Sequence, residues 1–169
     1  MNNEELRMKS EEFKTTGMTP EFVARAEQIA KPYEHKQAAL LPLLRLCQER
    51  DGYVTSEVET WVSEYLCVPL VHVHEVVSFY TLYYRRPMGK HVIDVCRNIS
   101  CTLRGGEEVL KALEQHLGIK EGETTPDGKY SLQTVECLCA CEQAPVLQVD
   151  GGHYVGSLNL ENIMEALPK

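Results

Sequence analysis

Four cysteines in two short pairs, Cys96-x₄-Cys101 and Cys137-x₃-Cys141, separated by thirty-five residues, constrain this chain more than any other feature. Four thiolates are a complete ligand set for a soft metal centre, whether zinc, copper(I) or an iron-sulfur cluster. No Cys-x₂-Cys occurs in the sequence. The common zinc-ribbon spacing and the thioredoxin-type dithiol are therefore unsupported, while a first pair spaced by four residues opens the plant-type ferredoxin pattern. Spacing alone leaves an iron-sulfur cluster, a zinc site and disulfides or idle thiols all open.

Context weakens the disulfide reading. The first thirty residues scatter Glu4, Glu5, Glu11, Glu12 and Glu21 among Lys and Arg, without the apolar core of a signal peptide, and no stretch is long enough to span a membrane. The expected compartment is reducing, where seven cysteines point to metal or catalysis more than to cross-links. Cys47 and Cys67 lie among apolar residues of expected helices and read as buried small hydrophobes.

The chain has 169 residues, 43% hydrophobic and 25% charged, enough for one full core or two small ones. A formal charge of −8, with Lys and Arg in isolated pairs such as Arg85-Arg86, argues against nucleic acid. No Gly-x-Gly-x-x-Gly fingerprint is present; Gly105-Gly106 and Gly151-Gly152 are too short to cradle a pyrophosphate. His72 and His74, two apart on an expected helix, do not share a face and make a poor metal clamp.

Periodicity divides the chain into a polar, mobile tail (1–17), a helical bundle (18–88) and a mixed sheet domain (89–169). In the bundle, Thr19-Pro20 reads as a helix start, and a second helix over 34–50 carries Leu40, Leu41, Leu44 and Cys47 on one face, with a kink or late start at Pro42. Ser56 and Pro69 open two more helices, and the run Phe79, Tyr80, Tyr83, Tyr84 reads as packing aromatics rather than a partner surface. Beyond Pro87 the pattern turns to strands at 91–95, 130–135, 146–149 and 153–155, with an amphipathic helix after Gly105-Gly106 and a last helix over 159–167. Both cysteine pairs then fall in loops at one end of a small mixed sheet flanked by helices. The segment 97–106, with its two glycines, is expected to supply backbone N–H donors to the sulfurs, and Arg97 and Arg104 read as surface side chains.

Several strings carry a resemblance: Val95-Cys96-Arg97-Asn98-Ile99-Ser100-Cys101, Leu103-Arg104-Gly105, Glu136-Cys137-Leu138-Cys139-Ala140-Cys141 and Ala144-Pro145-Val146. With Asp51-Gly52-Tyr53-Val54 and Val76-Val77-Ser78-Phe79-Tyr80-Thr81, they make residues 18–169 similar to the [2Fe-2S] small subunit of the NADH-oxidising module of respiratory complex I. The resemblance implies a mixed α/β chain in which a helical bundle precedes a thioredoxin-like ferredoxin domain. It implies one [2Fe-2S] cluster on Cys96, Cys101, Cys137 and Cys141, no catalytic residue, and a partner flavoprotein that binds FMN and NADH within the larger peripheral arm. The placement it implies is bacterial and cytoplasmic, peripheral to the inner membrane through the complex and without direct insertion. The related alternative is the equivalent subunit of an NAD-linked hydrogenase or formate dehydrogenase; the distant one is a zinc-stabilised adaptor. The family usually has glycine where this chain has Cys139.

Overall fold

The computed structural model describes residues 18–168, which divide at Pro87/Met88 into two units; the polar tail over 1–17 lies outside the described residues. The first unit contains α1 (Pro20–Ala30), α2 (Leu40–Asp51), α3 (Ser56–Leu66) and α4 (Leu70–Phe79). Local chemistry sets each boundary. The Thr19 and Thr55 hydroxyls accept from the amides of Phe22 and Val58, each satisfying a donor with no partner inside the helix. Pro42 falls in the first turn of α2, where its missing N–H costs nothing, so the helix starts at Leu40 behind a 3₁₀ turn over Lys36–Ala39. Gly52, left-handed at φ +80°, ends it. Leu40, Leu43, Leu44, Cys47, Trp61, Val62, Leu66, Val73 and Val77 form the core, with Trp61 stacked on Tyr65.

Three expectations for this unit need correction. Cys67 is exposed: α3 stops at Leu66, and Cys67 takes the left-handed cap position at φ +54°, which turns its side chain away from the core. Leu41 is 38% exposed, because the buried stripe of α2 runs through Leu40, Leu43 and Leu44 instead. Phe79 and Tyr80 also lie on the surface, Phe79 at 78%. The chain leaves the helix at Tyr80, and only the next few residues are tied back: Gln48 donates to the Leu82 carbonyl and accepts from the Tyr84 amide, and the Tyr83 hydroxyl donates to the Leu41 carbonyl at 2.8 Å.

The second unit is a four-stranded mixed sheet in the order β2-β1-β3-β4, built from β1 (His91–Cys96), β2 (Tyr130–Val135), β3 (Leu147–Val149) and β4 (His153–Val155). β1 runs parallel to β2 and antiparallel to β3, which pairs with β4 through the Asp150-Gly151-Gly152 turn. Two helices, α5 (Ile99–Leu103) and α6 (Gly106–Leu117), connect β1 toward β2. Val109 and Leu113 of α6 pack on Ile93, Val95, Leu132, Leu147 and Val149. The last helix is corrected to a single 3₁₀ turn over Ile163–Ala166. The Asn159 side chain accepts the amides of Glu161 and Asn162, a turn that competes with helix, and Pro168 follows too soon for a longer run.

Candidate metal centre

Strand alternation decides where Cys96 goes. Ile93 and Val95 face the core under α6, so Cys96, one residue on, falls on the opposite face, where it joins Cys101, Ala144 and Val146 in a separate buried cluster. The parallel register sets Cys96 beside Val135, so β1 and β2 end level and the Cys137 loop starts two residues from the first ligand candidate. Arg97 and Glu136, the residues that follow the two strands, pair across this end at 2.8 Å.

Cys101 is carried on α5, not in an open loop as its sequence suggests, and is 1% exposed. Two glycines hold that helix against the next. Gly105 is left-handed at φ +94°, and a Cβ on Gly106 would stand 2.9 Å from the Cys101 carbonyl oxygen. The second pair sits on the surface: Cys137, Cys139 and Cys141 are all exposed, with Leu138 and Ala140 turned onto the buried cluster between them.

The thiols are close enough to shift one another. Burial pushes the Cys101 thiol up to about 11, its hydrogen bond with Cys96 and the neighbouring Cys96 and Cys141 add to the rise, and the Val146 amide opposes it by donating to the sulfur. Cys139 is raised chiefly by its hydrogen bond with Cys137, then by proximity to Cys137, Cys141 and Cys96. All four predicted residues therefore gather at one end of the sheet, with Cys139 as a fifth thiol. Cys47 and Cys67 belong to the other unit.

Backbone donors reach the sulfurs from places the sequence did not point to. The Cys139 amide donates to the Cys137 Sγ at 3.3 Å, and the Val146 amide to Cys101. The segment 97–106 supplies geometry through its glycines; Arg97 is spent on Glu136, and Arg104 is exposed. Only the resemblance of the Ala144-Pro145-Val146 string could have drawn attention to Val146. Asp94, buried beside this end, is held toward its protonated form by desolvation, against the Gln133 amide that donates to it at 2.7 Å.

This donor set fits a binuclear iron-sulfur cluster. It offers thiols, N–H groups aimed at sulfur, and an apolar inner wall of Ala144 and Val146. Among the described residues no three Cys, His, Asp or Glu side chains converge on a point that could hold one metal ion. In sequence the four candidate ligands come as two pairs, 96/101 and 137/141, which matches two terminal thiolates for each of two irons.

The geometry agrees with the comparisons. The family model for thioredoxin-like [2Fe-2S] ferredoxins matches residues 26–169. An E-type subunit of the NADH-quinone oxidoreductase of Rhizobium meliloti, the second of that type, is 44% identical over 133 residues, covering 79% of each chain. The E-type subunit of Rickettsia prowazekii is 39% identical over 145 residues, 83% of this chain and 82% of that one. Its Mycobacterium tuberculosis counterpart is 41% identical over 135 residues; the match spans about half of that longer protein, 54%. Among solved structures, a chain of an NAD⁺-reducing [NiFe]-hydrogenase in the air-oxidised state shares the fold at a TM-score of 0.60 and 20% identity, over 76% of this chain and 23% of that one.

Proposed function

Because the chain belongs to the thioredoxin-like [2Fe-2S] ferredoxin family, we propose that it is the electron-transfer subunit of an NADH:quinone oxidoreductase, with its one cluster held by Cys96, Cys101, Cys137 and Cys141. When bound, a [2Fe-2S] cluster supplies one-electron redox chemistry. Cys96 and Cys101 hold it from the buried side, fixed by the end of β1 and by α5; Cys137 and Cys141 close it from the exposed loop. The Val146 and Cys139 amides stabilise charge on the sulfurs, and Ala144 and Val146 exclude water behind them. NADH and FMN belong to a partner flavoprotein, and the chain joins the complex at the membrane periphery; no helix of the described residues is long and apolar enough to cross a membrane. Residues 18–88 and 89–169 act as separate domains, the second carrying the cluster.

The observation that carries this reading is the level ending of β1 and β2, which delivers both cysteine pairs to one place. Purified protein should contain two irons and two acid-labile sulfides per chain. Stoichiometric zinc without iron, or four irons per chain, would falsify the cluster assignment. The equivalent subunit of an NAD-linked hydrogenase is the second reading, supported by the shared fold; identities of 39–44% to quinone oxidoreductase subunits favour the first. The subunits that co-purify with the tagged chain separate the two.

A further inference from the structure

We propose that Cys139 is a modification site: under peroxide it forms a disulfide with the ligand Cys137, protecting that sulfur from irreversible oxidation when the cluster is lost. The inference rests on the ligand set given above. Its basis is the juxtaposition of two exposed thiols with sulfurs 3.9 Å apart, joined by a single intervening residue, Leu138. A disulfide needs about 2.05 Å, a gap that side-chain rotation can close where both groups lie on a surface loop. The left-handed backbone of Cys139, φ +55°, curls the loop so that residues two apart face each other, and the Cys139 amide already points at the Cys137 sulfur. The other thiol pair, Cys96 with Cys101, is 3% and 1% exposed, so an oxidant arriving from solvent meets the exposed loop that carries Cys139 before it meets them.

In the loaded protein Cys139 carries a free thiol, while Cys137 is committed to iron. The Cys139 sulfur attacks a hydroperoxide; the S–O bond forms, the O–O bond breaks, and the departing hydroxide takes the thiol proton as water. When the cluster is lost, the freed Cys137 thiolate attacks the sulfenic acid; the S–S bond forms, the S–O bond breaks, and the second hydroxide leaves as water after taking a proton from solvent. Each sulfur gives up one electron and the peroxide takes two. A disulfide closing so small a loop on the surface is readily reduced, so a thiol reductant returns both ligand loop and site. Without Cys139, the Cys137 sulfenic acid loses the sulfur that stood 3.9 Å away and proceeds more readily to sulfinic acid, which thiols do not reverse.

The test uses the full, cluster-loaded chain treated with hydrogen peroxide. Free thiols are then blocked with one alkylating label, disulfides reduced, and released thiols given a second. The expected result is the second label on Cys137 and Cys139 and the first on Cys141, with dithiothreitol, iron and sulfide restoring most of the visible absorption. In Cys139→Ser the absorption recovered should fall about twofold or more, with sulfinic acid at Cys137 by mass spectrometry. Cys139→Gly, which restores the residue the family usually has here, should behave in the same way. Second label on any other pair, or full recovery in both variants, would overturn the inference alone. Absence of iron and sulfide from both variants before any oxidant is added would overturn the ligand set, and the inference with it.

Discussion

Replacing Gly106 by alanine tests whether the contact between α5 and α6 positions Cys101. The new Cβ would stand 2.9 Å from the Cys101 carbonyl oxygen and 3.0 Å from its carbonyl carbon, both main-chain atoms that no rotamer change can move aside. Ordinary contact begins at 3.4 Å, so the two segments must separate by about half an ångström. Forcing an extra methyl into a closed contact costs about 1–3 kcal/mol, and the helical preference of alanine over glycine returns at most about 1. A net loss of roughly 1–2 kcal/mol is expected, and because the displaced main chain carries Cys101, the cluster should also be held less tightly. Urea denaturation of the full chain reads the first effect as a lower midpoint at unchanged slope. Iron and sulfide retained after gel filtration read the second. Gly152→Ala is the matched control: nothing lies within 4 Å of its Cβ, so both readouts should stay at wild type. A Gly106→Ala protein as stable as wild type, with full iron content, would refute the idea that this close approach fixes the ligand.

Three further outcomes are expected. Burial pushes the Cys47 thiol up to about 12, so only about one part in ten thousand is thiolate at pH 8; it should resist alkylation in the folded chain while exposed Cys67 reacts, and a Cys47 that is labelled as fast as Cys67 would contradict its burial. Desolvation raises Tyr83 to about 12 from an ordinary value of 10.0, so between those values the folded chain keeps a proton that the unfolded chain has lost. Stability therefore falls as pH rises through that window. Tyr83→Phe should remove this part of the alkaline loss and cost about 1 kcal/mol at neutral pH through the bond to the Leu41 carbonyl, as read by denaturation at several pH values. Thr55→Ala removes the α3 cap and should lower stability by about 1 kcal/mol, with Thr55→Ser restoring most of it; equal stability of all three would mean the cap contributes nothing.

Much of the cluster-bearing unit was legible because its signals are local. Alternation over 91–95 and 130–135 marks two strands, with Cys96 one residue and Cys137 two residues beyond them, so the place of both at the sheet end follows from pattern alone. What stayed hidden depends on contacts distant in sequence or on conformations invisible in residue type. The Val146 donor becomes a neighbour of Cys101 only through strand pairing. The left-handed backbone at Cys139 leaves no mark in residue type, because cysteine is not a residue that favours it. α5 has five residues, too few to show a period, and so read as loop. In the helical unit the aromatic run misled because hydrophobic type reports a tendency to be buried, while the end of α4 at Phe79 decides which rings reach the core.

The level ends of β1 and β2 bear on how such chains can vary in length. The Arg97 amide bonds the Val135 carbonyl at 3.0 Å just where both strands stop, so the two cysteine-bearing segments leave the sheet about one strand spacing apart, roughly 4.8 Å. The thirty-five residues between the pairs do not set that separation; they depart from the sheet end and return to it through α6, β2 and the segment 118–129, in which Ile119 and Thr125 are buried and the turns at 120–121 and 126–128 are exposed. Extra residues inserted in those turns should leave the sulfurs where they are, at only a slowly growing entropic cost. A single residue gained or lost within β1 would instead turn Cys96 to the opposite face. Insertions and deletions are therefore tolerated in the long interval and forbidden in the short ones, so spacing within each pair identifies the site and spacing between them does not.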